Sequence, residues 1–364
     1  MSIPAVVFVD PVAAHLEVAA LSVLDRMIVA LHRGGCTRIT LVTDIVLPEL
    51  KRTWGLGISF NAVPRPPELE GPTLVAQSCL LIQPADVAQV IEDGGRLATD
   101  VGEPLPLGVT NRLGGTLEES LPIAPLVPAE GVTALIETPE QAKAATKALW
   151  ISLTSSADGI VDVYFNRPLG RPLSKLLIRT PVTPNQVTIF AMLVGVLSGW
   201  FFSRGDHVSG IVGALVFQLA AMIDCIDGDI ARSVFKETPV GKWLDIAADQ
   251  VAHVAIFGGI AWGVTQSGSD APTLYLGASM IVGALISFAV VVRGLAKPED
   301  QRDPRLAKLI DSATTRDFSI LLIIAAWFDA LDWFLWVGAF GVHGFWILAL
   351  AIQTLGAKPA REAA

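Results

Sequence analysis

The stretch Asp224-Cys225-Ile226-Asp227-Gly228-Asp229-Ile230-Ala231-Arg232, followed by Gly241, Asp245 and Asp249, decides how this chain is read. It runs straight out of one uncharged segment, 208–223, and a second, 250–269, begins directly after it. Carboxylates at the edge of a bilayer are penalised unless paired, hydrogen-bonded or metal-bound, so they are functional candidates by default. At about 100° per residue, Asp224, Asp227, Gly228, Ala231 and Arg232 fall within an arc of roughly 140° on one helix. Gly241, Asp245 and Asp249 form an i, i+4, i+8 stripe on the next, and the short connection lets the two faces meet. Converging carboxylates suit hard divalent cations such as Mg²⁺ or Mn²⁺. Two such ions can hold a diphosphate and stabilise a leaving oxygen. Gly228 and Ala231 clear room for a ligand, and Arg232 can grip a phosphate with two N–H groups.

Further uncharged runs cover 187–203, 271–292 and 333–357, and an apolar centre at 318–328 lies between acidic residues. A helix needs roughly 20 mostly apolar residues to cross about 30 Å of hydrocarbon. These segments predict six transmembrane helices. Over its 364 residues the chain is 52% hydrophobic and only 17% charged; an average soluble domain carries about 25% charged residues. With the flank 167–179 placed in the cytosol, the cytoplasmic segments hold 15 Lys and Arg and the external loops only Arg204. The aspartates and both termini are therefore expected on the cytoplasmic side.

The first half reads differently. Residues 1–150 carry a net charge of −7 and the remainder −2. An acidic half without a basic block excludes nucleic acid as a partner. Cys36, Cys79 and Cys225 are too widely spaced for a disulfide framework or a zinc site. Residues 1–10 have no charged n-region and no apolar stretch of signal-peptide length, so this half is expected in the cytosol. Short apolar runs predict strands at 5–9, 37–43 and 74–82, and helical periodicity predicts helices over 16–32, 47–54, from 87, and over 139–153. That alternation gives an α/β domain with a largely parallel sheet.

Between the halves, Arg167, Arg171, Lys175 and Arg179 recur at intervals of four. On a helix they make a basic stripe opposite Leu169, Leu173, Leu176 and Leu177. The pattern predicts a helix lying in the cytoplasmic interface with its cations at anionic lipid headgroups. A direct grip on a substrate phosphate is the alternative.

The full spacing Asp224-x2-Asp227-Gly228-x2-Ala231-Arg232-x8-Gly241-x3-Asp245-x3-Asp249 resembles the signature of the CDP-alcohol phosphatidyltransferase family, all eight fixed positions matching. Thr183-Pro184-Asn185-Gln186-Val187-Thr188 is similar to the start of that family's first membrane helix. The expected domains are 1–138 (cytosolic α/β), 139–182 (linker and basic juxtamembrane helices) and 183–357 (six-helix membrane domain). The resemblance implies transfer of a phosphoalcohol from a CDP-linked donor to an alcohol or phosphoalcohol acceptor, with release of CMP. It implies that Asp224, Asp227 and Asp245 are metal ligands, and that Asp249 ligates the second of two Mg²⁺ or Mn²⁺ ions and acts as general base. Asp227, Gly228, Ala231, Arg232, Thr238 and Gly241 would line the nucleotide site. Members with phosphorylated inositol acceptors have a basic pocket near the junction of helices four and five, which implies Arg293, Lys297 and Arg316 as acceptor contacts. The positive-inside rule alone also accounts for those cations. A homodimer is implied as well.

Leu21-x-Val23-Leu24-Asp25-Arg26, with Gly34-Gly35-Cys36-Thr37-Arg38-Ile39-Thr40-Leu41-Val42-Thr43, resembles part of a sugar-phosphate nucleotidyltransferase fold. Such domains are fused ahead of this membrane domain in inositol-phosphate cytidylyltransferase/di-myo-inositol phosphate phosphate synthases. The catalytic signals of that fold are missing from the sequence. Asp10-Pro11-Val12-Ala13-Ala14-His15 stands where a Gly-rich loop with Arg and Lys is due. Gln83-Pro84-Ala85 replaces the metal-binding Asp, and Asp86 comes late. A degenerate, non-catalytic domain is expected.

His253 is expected as a packed histidine, Cys225 as packing, and Asp329 and Asp332 as a solvated helix end. The expected function is a membrane CDP-alcohol phosphotransferase in inositol-phosphate chemistry. Phosphatidyl transfer from CDP-diacylglycerol to a polyol or its phosphate is the alternative. A carboxylate-lined carrier would also bury aspartates, but it would not require Gly228, Ala231, Arg232 and Gly241 in register.

Overall fold

The computed structural model describes residues 3–355, apart from 115–116, 122, 124, 155–157, 270, 297–302, 304, 307–308 and 310–316. The chain divides into two units, Met1–Leu153 with Ser233–Phe235, and Thr154–Arg232 with Lys236–Ala364.

The strands of the first unit are β1 (Ile3–Phe8), β2 (Glu17–Val18), β3 (Leu21–Ser22), β4 (Cys36–Val42), β5 (Phe60–Val63), β6 (Thr73–Gln77), β7 (Leu80–Leu81), β8 (Arg96–Ala98), β9 (Pro104–Thr110), β10 (Leu126–Pro128) and β11 (Ala134–Leu135). Seven form one sheet in the order β10-β8-β9-β6-β1-β4-β5. Only β9 runs against its neighbours. The near-continuous apolar central strands suit a sheet covered on both faces, and Val7, Leu41, Leu74 and Val75 are fully buried. Helices α1 (Val23–Arg33), α2 (Lys51–Gly55), α3 (Pro84–Asp93), α4 (Leu117–Ser120) and α5 (Pro139–Ser152) complete this unit.

The helix expected over 16–32 begins only at Val23. Ala19 and Ala20 have φ of 45° and 66°, a left-handed turn that no helix accommodates, and they join β2 to β3 as a hairpin. Buried Arg26 fixes that hairpin by donating to the carbonyls of Val18 (2.6 Å) and Ala19 (3.2 Å). Ser22 then caps α1 by accepting from the Asp25 N–H at 3.1 Å. Asp25 in turn receives the N–H groups of Arg52 and Thr53, both at 2.8 Å. Propensity favoured helix, and these tertiary hydrogen bonds override it. The strand expected over 74–82 is split as well: β6 ends at Gln77, and β7 pairs antiparallel with β11.

The second unit holds α6 (Arg167–Leu177), α7 (Pro184–Phe202), α8 (His207–Ser233), α9 (Pro239–Gln266), α10 (Thr273–Leu295), α11 (Phe318–Trp327) and α12 (Leu331–Leu355). Among the described residues, five helices (α7, α8, α9, α10 and α12) are long and apolar enough to cross a membrane. The sixth expected span is represented by α11, whose 10 residues reach about 15 Å, half of a hydrocarbon core. Thr183 and Gln186 start α7 with a reciprocal capping box, which explains the Thr-Pro-x-Gln pattern physically. Small residues let α7 and α9 approach closely, as in many membrane helix pairs. A side chain at Gly199 or Gly263 would collide with the carbonyl oxygens of Ala255 and Phe202, respectively. Phe217, Ile256, Ile260, Leu322 and Leu335 fill the core of the bundle.

Candidate active site

The aspartates converge where α8 and α9 meet. Asp224, Asp227 and Asp245 each offer a carboxylate oxygen within 4.8 Å of the others. Three oxygens at that spacing fit a hard divalent cation by their donor chemistry. Asp227 is buried, and its Oδ2 accepts a hydrogen bond from the Thr188 hydroxyl of α7. Asp249 lies one turn beyond Asp245 and outside this trio. It shares a small cavity of about 30 Å³ with Asp224.

Beside the trio is a cavity of about 480 Å³ whose lining includes Asn185, Thr188, Asp227, Gly228, Ala231, Arg232, Lys236, Gly241, Lys242 and Asp245. Every motif position that the sequence assigned to a nucleotide, Thr238 included, lines this one space. Thr238 has a structural role too, as the N-cap of α9, its hydroxyl accepting from the Gly241 N–H at 2.9 Å. Gly241 is where side-chain absence matters. A Cβ there would sit 3.0 Å from both Asn185 Oδ1 and Thr238 Oγ1, tightening the cavity wall. Asn185, Thr188, Lys236 and Lys242 carry no signal of their own in the sequence. Asn185 and Thr188 are visible there only as part of the pattern opening α7.

A second, larger cavity of about 770 Å³ is lined mainly by apolar side chains from α9 to α12, with Asp249 and His253 at its edge. His253 stacks on Phe257 at 5.7 Å and meets Phe318 at 5.8 Å, which is the packed role expected of it. Arg293 lies exposed in the last turn of α10. Lys297 and Arg316 lie outside the described residues.

The juxtamembrane stripe requires a correction. Arg167 is buried and ion-paired: its Nε and Nη2 donate to Asp158 at 2.6 and 2.8 Å, and Nη1 donates to Asp229 at 2.6 Å. Burial opposes its charge, but Asp158 and Asp229 outweigh that and hold the guanidinium above its ordinary pKa. A step of four residues overshoots a full turn by about 40°, so a four-position stripe precesses by roughly 120°. Arg167 therefore faces inward with Gly170 and Ser174, while Lys175 and Arg179 remain exposed. Leu169, Leu173 and Leu176 are exposed on the apolar side.

Other buried groups continue this docking along α8. Asn166 donates to Asp162 at 2.7 Å and accepts from Gln218 at 2.6 Å. The Cys225 thiol lies 3.5 Å from Asp162 Oδ1, so Cys225 hydrogen-bonds as well as packs. Asp317, just ahead of α11, accepts the N–H groups of Ile160 and Val161 at 3.2 and 2.8 Å.

In the first unit, the carboxylates near the expected nucleotide loop are consumed by the backbone. Asp10 Oδ1 accepts from Val12 and Ala13 at 2.9 and 2.8 Å. Asp86 accepts from Gln83 at 3.1 Å and from Glu130 and Gly131 at 3.0 Å. Burial pushes the Cys36 thiol up to about 12 and Cys79 up to about 11, which keeps both as inert thiols at neutral pH.

The model of the CDP-alcohol phosphatidyltransferase family matches residues 181–343. A phosphatidylinositol phosphate synthase of Streptomyces avermitilis is 30% identical over 192 residues, covering 46% of this chain and 74% of that protein. A bifunctional IPC transferase and DIPP synthase of Aquifex aeolicus is 26% identical over 200 residues, covering 54% of this chain and 45% of that protein. The chain thus spans less than two thirds of the length of the first curated relatives it matches. The apo crystal structure of the Mycobacterium tuberculosis phosphatidylinositol phosphate synthase is similar at a TM-score of 0.40 and 22% identity, covering 53% of this chain and 99% of that one.

Proposed function

Because the chain belongs to the CDP-alcohol phosphatidyltransferase family, we propose that it moves a phosphoalcohol from a CDP-linked donor to an acceptor hydroxyl and releases CMP. The observation that carries this reading is the meeting of Asp227, Asp245, Arg232 and Gly241 on one cavity of about 480 Å³. Bound at Asp224, Asp227, Asp245 and Asp249, two Mg²⁺ or Mn²⁺ ions would offset the diphosphate charge and stabilise the leaving oxygen.

The chain's own residues do the rest. Arg232 and the neighbouring Lys236 and Lys242 grip the phosphates, and Gly228 and Gly241 leave them room to approach the helices. Asp249 takes the proton of the acceptor hydroxyl as its oxygen bonds to the phosphorus that carries the alcohol. The bond from that phosphorus to the bridging oxygen breaks, and CMP leaves with it. Thr188 holds Asp227 in position through its hydrogen bond.

An inositol phosphate is the proposed acceptor, in keeping with the names of the relatives, and Arg293, Lys297 and Arg316 are its proposed contacts. The apolar cavity of about 770 Å³ that reaches Asp249 favours the second substrate reading, a donor with lipid chains such as CDP-diacylglycerol. The loop charges support a cytosolic active site and cytosolic termini, and the proposal takes the first unit as a non-catalytic cytosolic domain and a homodimer as the working assembly.

The test is CMP release by the purified chain in lipid with Mg²⁺. CDP-diacylglycerol and CDP-inositol would serve as donors, each offered with inositol phosphate, inositol and glycerol phosphate. Release with one pair names the substrates, and its loss in Asp249→Asn with CDP binding retained supports the base. No CDP binding by the folded parent chain sinks the reading.

A further inference from the structure

Arg232 stands at the border between two faces of α8. One face carries Asp227, Gly228 and Ala231, which line the cavity. The other carries Gln218, Met222, Cys225, Ile226 and Asp229, and α6 with the turn before it lies against that face. A Cβ on Gly170 of α6 would meet Ile226 at 3.2 Å and the Met222 carbonyl oxygen at 3.4 Å. Asp229 is 1% exposed and is paired with two cations. Arg167 Nη1 holds its Oδ1 at 2.6 Å, and Arg232 Nη2 lies 3.7 Å from the same oxygen. Arg171, one turn along α6, donates to the Thr154 hydroxyl and acts on Asp229 only through its charge, while the Ser174 hydroxyl lies 3.5 Å from Asp229 Oδ2. Arg232 keeps 40% of its side chain exposed and lines the cavity.

Two guanidinium groups thus share one carboxylate, at unequal distances. A 2.6 Å contact is a charge-assisted hydrogen bond, and a 3.7 Å contact is only a loose ion pair. We infer that Arg167 is a positioning residue: by neutralising Asp229 it leaves the Arg232 guanidinium available to an anionic phosphate in the cavity. Without Arg167, the buried Asp229 carboxylate recruits the second cation already paired with it, and Arg232 turns from the cavity toward the back of α8. Burial makes that recruitment strong, because an uncompensated carboxylate in a low-dielectric site draws any cation in reach. Asp158 fits the same scheme. It binds the other edge of the Arg167 fork through Nε and Nη2, which fixes Nη1 on Asp229. Met222 and Gly170 keep the two helices close enough for the fork to span both carboxylates. Asp229 lies outside the fixed positions of the signature.

The inference rests on the proposal that the cavity binds a CDP-linked donor, and a double-variant cycle separates the two. CDP affinity in the presence of Mg²⁺ is measured by equilibrium titration of the full chain in nanodiscs, alongside thermal unfolding. Arg167→Met is expected to weaken CDP binding about tenfold, the scale of one lost charge-assisted contact. Arg167→Met with Asp229→Asn removes the competing carboxylate as well, and is expected to return CDP affinity to within about threefold of the parent. The loss must also run through Arg232: in an Arg232→Met background, Arg167→Met should cost almost no further CDP affinity, whereas a purely structural role would lower affinity by the same factor with or without Arg232, and that result overturns the inference. If Arg167→Met does not fold, the same cycle is run on Arg167→Lys, whose single ammonium cannot serve both carboxylates. Recovery on adding Asp229→Asn again supports the inference, and no recovery overturns it. A parent chain that binds no CDP fails the functional reading instead, before any variant is compared.

Discussion

Two groups of carboxylates lie on opposite faces of α8, and they are solved in opposite ways. On the cavity side, Asp224, Asp227 and Asp245 crowd their oxygens within 4.8 Å. On the far side, Asp158 and Asp229 are joined by the fork of Arg167 at 2.6–2.8 Å. Both arrangements concentrate negative charge at the end of an apolar helix. One takes its cation from the chain and becomes a fixed structural joint. The other leaves three carboxylate oxygens converging beside an open cavity, and we propose that its cation comes from solution, with a ligand. The contrast shows that a buried carboxylate announces a cation requirement but not its source.

The largest expected difference comes from removing the internal cation. Arg167→Met leaves Asp158 and Asp229 facing each other in a site where a broken buried pair costs about 3–5 kcal/mol. Its unfolding midpoint in lipid nanodiscs should fall well below the parent's, and an unchanged midpoint would show the joint to be dispensable. On the cavity side the effect should be kinetic. Asp245→Asn is expected to cut CMP release by about 10²–10³-fold, the scale of losing one electrostatic contact to developing charge. Its thermal stability should hold or rise, since a crowded carboxylate is gone. A fall in stability equal to that of Arg167→Met would erase the contrast between the two faces. The smallest effect is expected at the α6–α8 seam. Gly170→Ala places its methyl 3.2 Å from Ile226, an overpacking that costs about 1–3 kcal/mol at most. Thermal unfolding measures it, and a gain in stability would mean that the seam has slack.

Much of this contrast can be read in the sequence, though unequally. The apolar lengths of α7 to α10 and α12 exceed what a soluble core helix needs, so composition alone marks them. The cavity face follows from spacing, because 100° per residue puts Asp224, Asp227 and Ala231 together without reference to any other element. Thr183 was legible as the start of α7, since a cap acts within its own three residues, whereas the cap role of Thr238 at α9 appears only in the structure. The front of α1 was not legible. Residues 16–22 are as helical in pattern as those that follow, and only the contact of Arg26 with two backbone carbonyls selects the hairpin.

Arg167 makes the same point at the site itself. Its sequence neighbours place it in a basic stripe, and the sequence does offer a counter-signal in Asp229, a fifth carboxylate with no assigned cation. What joins them is 62 residues of intervening chain. The sequence by itself determined five of the six expected spans, the opening of α7 and the shared face of Asp224, Asp227 and Ala231 on α8, because each depends on periodicity or on groups a few residues apart. Only the tertiary structure decided which juxtamembrane cations are exposed and which are buried, and that α6 backs the motif helix. Those outcomes depend on which distant carboxylate a guanidinium meets, and in a low-dielectric interior that meeting outweighs local preference.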